Sequence, residues 1–211
     1  MDVASTRQGT WGIVGHDTAV DQLDRAVQSG RVNHAYLFTG PDGVGRRTLA
    51  TAFAQALVCE SPSGQRPCQE CSACRRVGEG IFPDVTSLSL ETQAQTANER
   101  RETKNTVISI EAVRELRSSV SLRPMEASWR VAILEDVERL SREAYDALLK
   151  TLEEPPSYVV LLLIATEFEA IPETIRSRCR HIALEPVPRQ TVVAELERRG
   201  TDPERAELVT R

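Results

Sequence analysis

The sequence predicts an α/β fold, a mainly parallel sheet flanked by helices. Three observations carry that expectation. Helical and strand patterns alternate along the chain, as a parallel sheet with crossover helices requires. A glycine-rich loop, Gly40-Pro-Asp-Gly-Val-Gly-Arg-Arg-Thr48, stands between a short apolar run and a helical pattern. Tyr158 to Ala165 is a continuous apolar run, the pattern of a strand covered on both faces.

Taken in order, Val20, Leu23 and Val27 mark one face of a helix that stops at Ser29-Gly30. His34 to Phe38 reads as a short buried strand leading into the glycine loop. Thr48 to Val58 follows as a helix with Leu49, Phe53, Ala56 and Leu57 inward. Asp84 to Leu90 reads as a strand, and the polar, aperiodic stretch Glu91 to Thr106 as a mobile surface loop. Ile110, Val113, Leu116 and Val120 outline a helix ending before Arg123-Pro124. Arg130 to Leu134 is a strand candidate. Ser141 caps a helix that runs to Glu153 and is stopped by Pro155-Pro156. Arg180 to Leu184 is a last short strand. Beyond Pro186 and Pro188, Thr191 to Arg199 and Pro203 to Arg211 read as polar helices with little to bury.

Composition narrows the function classes. With 211 residues, 40% hydrophobic and 27% charged, the chain has the make-up of an ordinary globular protein. No apolar run approaches the roughly 20 residues of a membrane span, and Met1 to Thr10 lacks the apolar centre of a secretory signal. A cytoplasmic protein with no membrane partner is expected. The net charge of −5 argues against a stand-alone DNA-binding module, because the overall field does not attract phosphate. Arg114, Arg117 and Arg123 are candidates for local phosphate contacts, and a solvated helix face accounts for them equally well.

Gly40, Gly43 and Gly45 fit a loop whose backbone amides and helix N-terminus wrap a polyphosphate. Such a loop then needs a lysine for the phosphates and a Ser or Thr hydroxyl for Mg²⁺. Arg46 and Arg47 stand there instead, and Thr48 comes one residue late. An arginine fork does not substitute for a compact ammonium, and Arg47 cannot ligate a cation. Glu135-Asp136 ends a strand where Asp-Glu would hold Mg²⁺ and orient the attacking water. The reversed order misplaces both carboxylates. Intrinsic ATP hydrolysis is therefore not expected, ATP binding is doubtful, and passive nucleotide binding stays open.

Cys59, Cys68, Cys71 and Cys74 are spaced C-x8-C-x2-C-x2-C. Four thiolates so placed suit a closed, structural zinc site, and a redox role for the C-x2-C pairs is the weaker alternative.

These stretches together resemble the clamp-loader branch of the AAA+ ATPases, from about Trp11 to Leu184. The most distinctive segment is Leu140-Ser-Arg-Glu-Ala-Tyr-Asp-Ala-Leu-Leu-Lys-Thr-Leu-Glu-Glu-Pro-Pro156, followed by Ile175-Arg-Ser-Arg-Cys-Arg180. The cysteine spacing is also similar to that of bacterial clamp loaders. Within the branch the chain looks most like delta-prime subunits of bacterial DNA polymerase III, which have a degenerate phosphate loop and act as stators. The resemblance implies gamma/tau and delta subunits as partners, with the sliding clamp and primed DNA reached through the complex. It implies that Arg178, in Ser177-Arg178-Cys179, is an arginine finger acting on a neighbour's ATP. Without the resemblance, Arg178 reads as a surface residue in a basic run with Arg176 and Arg180. Thr166 falls near the family's sensor position, although Ala165-Thr-Glu167 departs from the commoner pattern. Residues 1–183 would be the AAA+ core with a zinc module at 59–74. Residues 184–211 would be a partial helical lid, with the collar domain absent. The alternative is a gamma/tau-like subunit that hydrolyses ATP itself, and a third reading is a zinc-bearing interaction fragment outside any loader.

Overall fold

A computed structural model describes residues 11–61, 64–97, 106–203 and 205. Five strands, β1 (Ala35–Thr39), β2 (Val85–Leu88), β3 (Arg130–Leu134), β4 (Val159–Ala165) and β5 (Arg180–Ala183), form one sheet in the order β2-β3-β4-β1-β5. Every pairing is parallel, with Leu37 opposite both Leu163 and His181. Parallel strands need crossover connections, and helices supply them.

The period-two alternation of each strand divides the core into two faces. On one face Tyr36, Phe38, Val160, Leu162 and Ile164 pack against α1 (Asp17–Ser29) and α2 (Arg46–Val58). On the other, Ala35, Leu37, Val159, Leu161 and Leu163 meet α5 (Ile110–Ser121) and α6 (Arg142–Glu153). With apolar neighbours on both sides, β1 and β4 are wholly buried, which is why β4 reads as an unbroken apolar run.

Local signals set the helix ends. Gly30 adopts a left-handed conformation and donates its amide to the Val27 carbonyl, ending α1. The hydroxyls of Ser109 and Ser141 accept from the amides of Ala112 and Ala144, starting α5 and α6.

Two expectations need correction. Glu91 to Thr106 is not a loop throughout, because Leu90–Ala97 forms helix α4. Its start is fixed by a reciprocal cap: Ser89 N donates to Thr92 Oγ1 at 2.8 Å and Thr92 N to Ser89 Oγ at 3.1 Å. Residues 98–105 of that stretch lie outside the described residues. Helix α2 begins at Arg46 rather than Thr48, so both loop arginines belong to its first turn. Two short helices were also not foreseen, α3 (Ser72–Gly78) and α7 (Glu173–Arg176), together with a 3-10 turn at Val137–Arg139.

Helix α8 (Arg189–Arg198) is polar as expected and buries none of its residues. It is tied back at its end, where Arg199 Nη2 donates to the Gly12 carbonyl at 3.1 Å. The helix expected over Pro203 to Arg211 lies almost entirely outside the described residues, as does Met1 to Thr10. Among the described residues no helix is long and apolar enough to cross a membrane.

Candidate functional site

The C-terminal ends of β1, β3 and β4 are adjacent, and the glycine loop after β1 closes over them. Open parallel sheets bind ligands at this edge. Gly40 has φ 148°, and a Cβ there would come within 2.4 Å of the Leu184 carbonyl oxygen, so only glycine fits. Gly45, at φ 101°, turns the chain into α2. His16, itself left-handed at φ 59°, places Nε2 2.9 Å from the Val44 carbonyl and holds the loop from the side of α1.

A cavity of about 280 Å³ lies under the loop, bordered by Gly43, Gly45, both arginines, Thr48 and three acids. Those acids are Glu135, Asp136 and Glu138. Arg46 curls back to Asp42 at 2.6 Å, with its side chain only 13% exposed. Arg47 Nη1 stands 3.4 Å from Glu135 Oε1. Burial raises the Glu135 carboxyl above the ordinary range; the Arg47 guanidinium opposes that shift, and Asp136 and Glu91 add to it. Asp136 sits in a left-handed bend at φ 52° and its Oδ2 accepts from the Leu90 amide at 3.4 Å.

Thr166 lies just beyond β4. Its amide and hydroxyl both donate to Glu138 Oε1, at 3.1 and 2.8 Å. Glu138 Oε2 is buried without a hydrogen-bond partner among the described residues. Neither His16 nor Glu138 was among the residues picked out from the sequence. No short motif marks them, because each meets its partner from 28 positions away.

The donor set departs from the one expected around a magnesium-bound nucleotide. The position that would offer a hydroxyl carries the Arg47 guanidinium, which is cationic and already faces Glu135. An arrangement of two guanidiniums and three carboxylates can bind or exclude an anion, and its nearest loop hydroxyl, on Thr48, comes one residue after the position a metal-bound nucleotide uses.

At the C-terminal end of α2, Cys59, Cys68, Cys71 and Cys74 bring their sulfurs within 4.8 Å of one another. Tetrahedral thiolates about 2.3 Å from a shared ion would sit about 3.8 Å apart, so the group can hold a metal with little movement. Cys71 Sγ accepts from the Cys74 amide and Cys68 Sγ from the Cys71 amide. Amides of Cys71 and Glu70 lower the Cys68 thiol to about 7, whereas burial raises Cys59 and Cys74. Gln69, between two of these cysteines, donates to the Trp11 carbonyl at 2.7 Å and fastens the segment to the start of the described chain.

Arg178 lies beyond α7, away from the cavity. Its Nη2 is 2.9 Å from Glu153 Oε1, and the two side chains are 35% and 50% exposed. Arg114, Arg117 and Arg123 are all exposed, on α5 and just after it.

Comparison with known proteins matches this architecture. The chain is 34% identical over 184 residues to DNA polymerase III subunit tau of Bacillus subtilis, covering 87% of this chain and 30% of that protein. It is 33% identical over 172 residues to subunit gamma of Buchnera aphidicola, covering 82% and 44%. The chain therefore spans less than half the length of these relatives. Among solved structures, a DNA polymerase III gamma subunit-related protein of Thermotoga maritima superposes with TM-score 0.58 at 21% identity, over 90% of this chain and 56% of that one. A RuvB variant of the same organism gives 0.59 at 15% identity, over 94% and 57%. At those identities the likeness concerns the fold alone. The sequence profile of the family described as "DNA polymerase III, delta subunit" aligns with residues 15–188, from the turn before α1 to the proline that opens α8. With its phosphate-type loop, cysteine group and sheet order inside that span, the chain belongs to the DNA polymerase III, delta subunit family.

Proposed function

We propose that this chain is a stator of the delta-prime type in a DNA polymerase III clamp loader, inactive as an ATPase and supplying Arg178 to a neighbour's site. The observation that carries the reading is the pairing of Arg47 with Glu135. The two positions that would ligate the cation, a hydroxyl and a carboxylate, are here an internal ion pair, so the chain's own site is spent. Arg178 remains on the surface, where a second subunit can meet it. The partners are gamma/tau and delta subunits, and the loader acts on the sliding clamp at primed DNA. Residues 1–183 serve as the AAA+ core and 184–211 as the start of a helical lid.

The names of the curated relatives, tau and gamma subunits, favour a second reading in which the chain hydrolyses ATP itself. Equilibrium titration with labelled ATP decides between them. The isolated chain is expected to show no Mg²⁺-dependent binding and no turnover above the protein-free control. Tight Mg²⁺-dependent binding with turnover would establish the motor reading instead.

The cysteine group is assigned to structural zinc. Purified protein is expected to carry about one zinc per chain, and chelation to lower its melting temperature, since binding to the folded site alone stabilises it. Cys74→Ser should retain much less metal under the same dialysis. A zinc-free preparation that melts no lower would exclude the assignment.

A further inference from the structure

The Arg178 guanidinium is held from two directions. Nη2 donates to Glu153 Oε1 at 2.9 Å, and Nη1 donates to the Thr174 carbonyl at 2.7 Å. Glu153 is the last residue of α6 and Thr174 belongs to α7, so the fork joins two elements. Their relative placement is itself fixed by packing. Ile175 of α7 is buried in the same core cluster as Leu148 and Leu152 of α6, and the Arg178 amide donates to the Ile175 carbonyl at 3.0 Å. Nε of Arg178 makes no hydrogen bond to a described residue, so the fork keeps donors for a second anion.

An unrestrained arginine samples many rotamers, and its five donors are useful only when the planar fork is aimed. Two acceptors on separate elements select one direction. The carboxylate is half exposed, and such a pair is weak in water. It can orient the guanidinium without consuming its charge, and a phosphoryl group can then share the fork through charge-assisted bonds. We propose that Glu153 is the positioning residue for Arg178, aiming its guanidinium at an anionic phosphoryl group held by an adjoining subunit. This rests on the trans role given to Arg178 above.

The test uses an assembled loader in which only the site facing Arg178 keeps a working phosphate loop. Glu153→Ala is expected to lower kcat for ATP about three- to fivefold, the most an exposed ion pair supplies, with KM unchanged. Glu153→Gln keeps an acceptor oxygen for Nη2 and should recover most of the loss. In an Arg178→Ala background neither substitution should have any further effect. A kcat that falls equally in both backgrounds, or does not fall with Arg178 intact, overturns the role of Glu153. Undiminished turnover in Arg178→Ala alone would instead overturn the finger, and this inference with it, so the two failures read differently.

Discussion

Replacing Arg178 by alanine is expected to slow ATP hydrolysis at the neighbouring site by about 10³-fold, the scale of losing an arginine finger. Among the described residues the side chain hydrogen-bonds to Glu153, Ser177 and the Thr174 carbonyl. Those contacts are exposed, so their loss costs at most about 1 kcal/mol of stability. Turnover and stability therefore separate: the variant should melt with the parent while the site it serves fails. The reason is electrostatic. Charge spreads over the γ-phosphoryl oxygens in the transition state, and a fork aimed there stabilises that state more than the bound substrate. Arg178→Lys keeps the charge without the planar fork and should recover only a small part. Single-turnover hydrolysis in a loader with its other sites silenced is the measurement, and an unchanged rate would rule out the trans role.

Asp84→Ala is expected to destabilise the chain by about 3–5 kcal/mol, the cost of leaving a buried charge without its partner. Asp84 is fully buried and its two oxygens accept four bonds. The amides of Met125, Glu126 and Ala127 donate at 2.7, 2.7 and 2.9 Å, and Arg130 Nη1 at 2.9 Å. One carboxylate thus shapes the turn before β3 and neutralises an arginine that is itself buried. Asp84→Asn keeps the size but not the charge and should fall between parent and alanine. Burial alone would raise the Asp84 carboxyl, but the three amides and Arg130 outweigh it and hold it below the ordinary range. A depressed folded value means the contribution is complete above the unfolded value near 4 and fades as pH falls through the folded one. The parent should lose melting temperature below about pH 4, and Asp84→Ala should lose that part of the slope. Thermal unfolding across pH 2 to 7 tests both points, and parallel profiles would show that Asp84 is not the group responsible.

The elements were legible because their signals are local. The apolar runs of β1 and β4, the 3.6-residue spacing in α1 and α5, and the cap at Ser141 all lie within one turn or strand. Helix α4 was missed because its polar composition hid the reciprocal Ser89–Thr92 cap that starts it. Asp84 was read as the first residue of a strand. It is an anchor instead, and its partners lie 41 to 46 residues away. Cysteine spacing foretold the grouping of the four sulfurs. The bond from Gln69 to Trp11 spans 58 positions and had no such signal.

By itself, the sequence determined which chemical groups this protein has at the loop: two arginines where a lysine and a hydroxyl would be, and an acidic pair in reversed order. It also determined that strands and helices alternate, since periodicity and turn residues act over a few positions. Only the tertiary structure decided how those groups meet. Arg47 reaches Glu135 because β4, between β1 and β3, brings the ends of distant segments to one edge of the sheet. Arg178 reaches Glu153 because buried Ile175 docks α7 on α6. Ion pairs of this kind depend on strand order and helix packing, which are long-range properties that no short stretch of sequence carries.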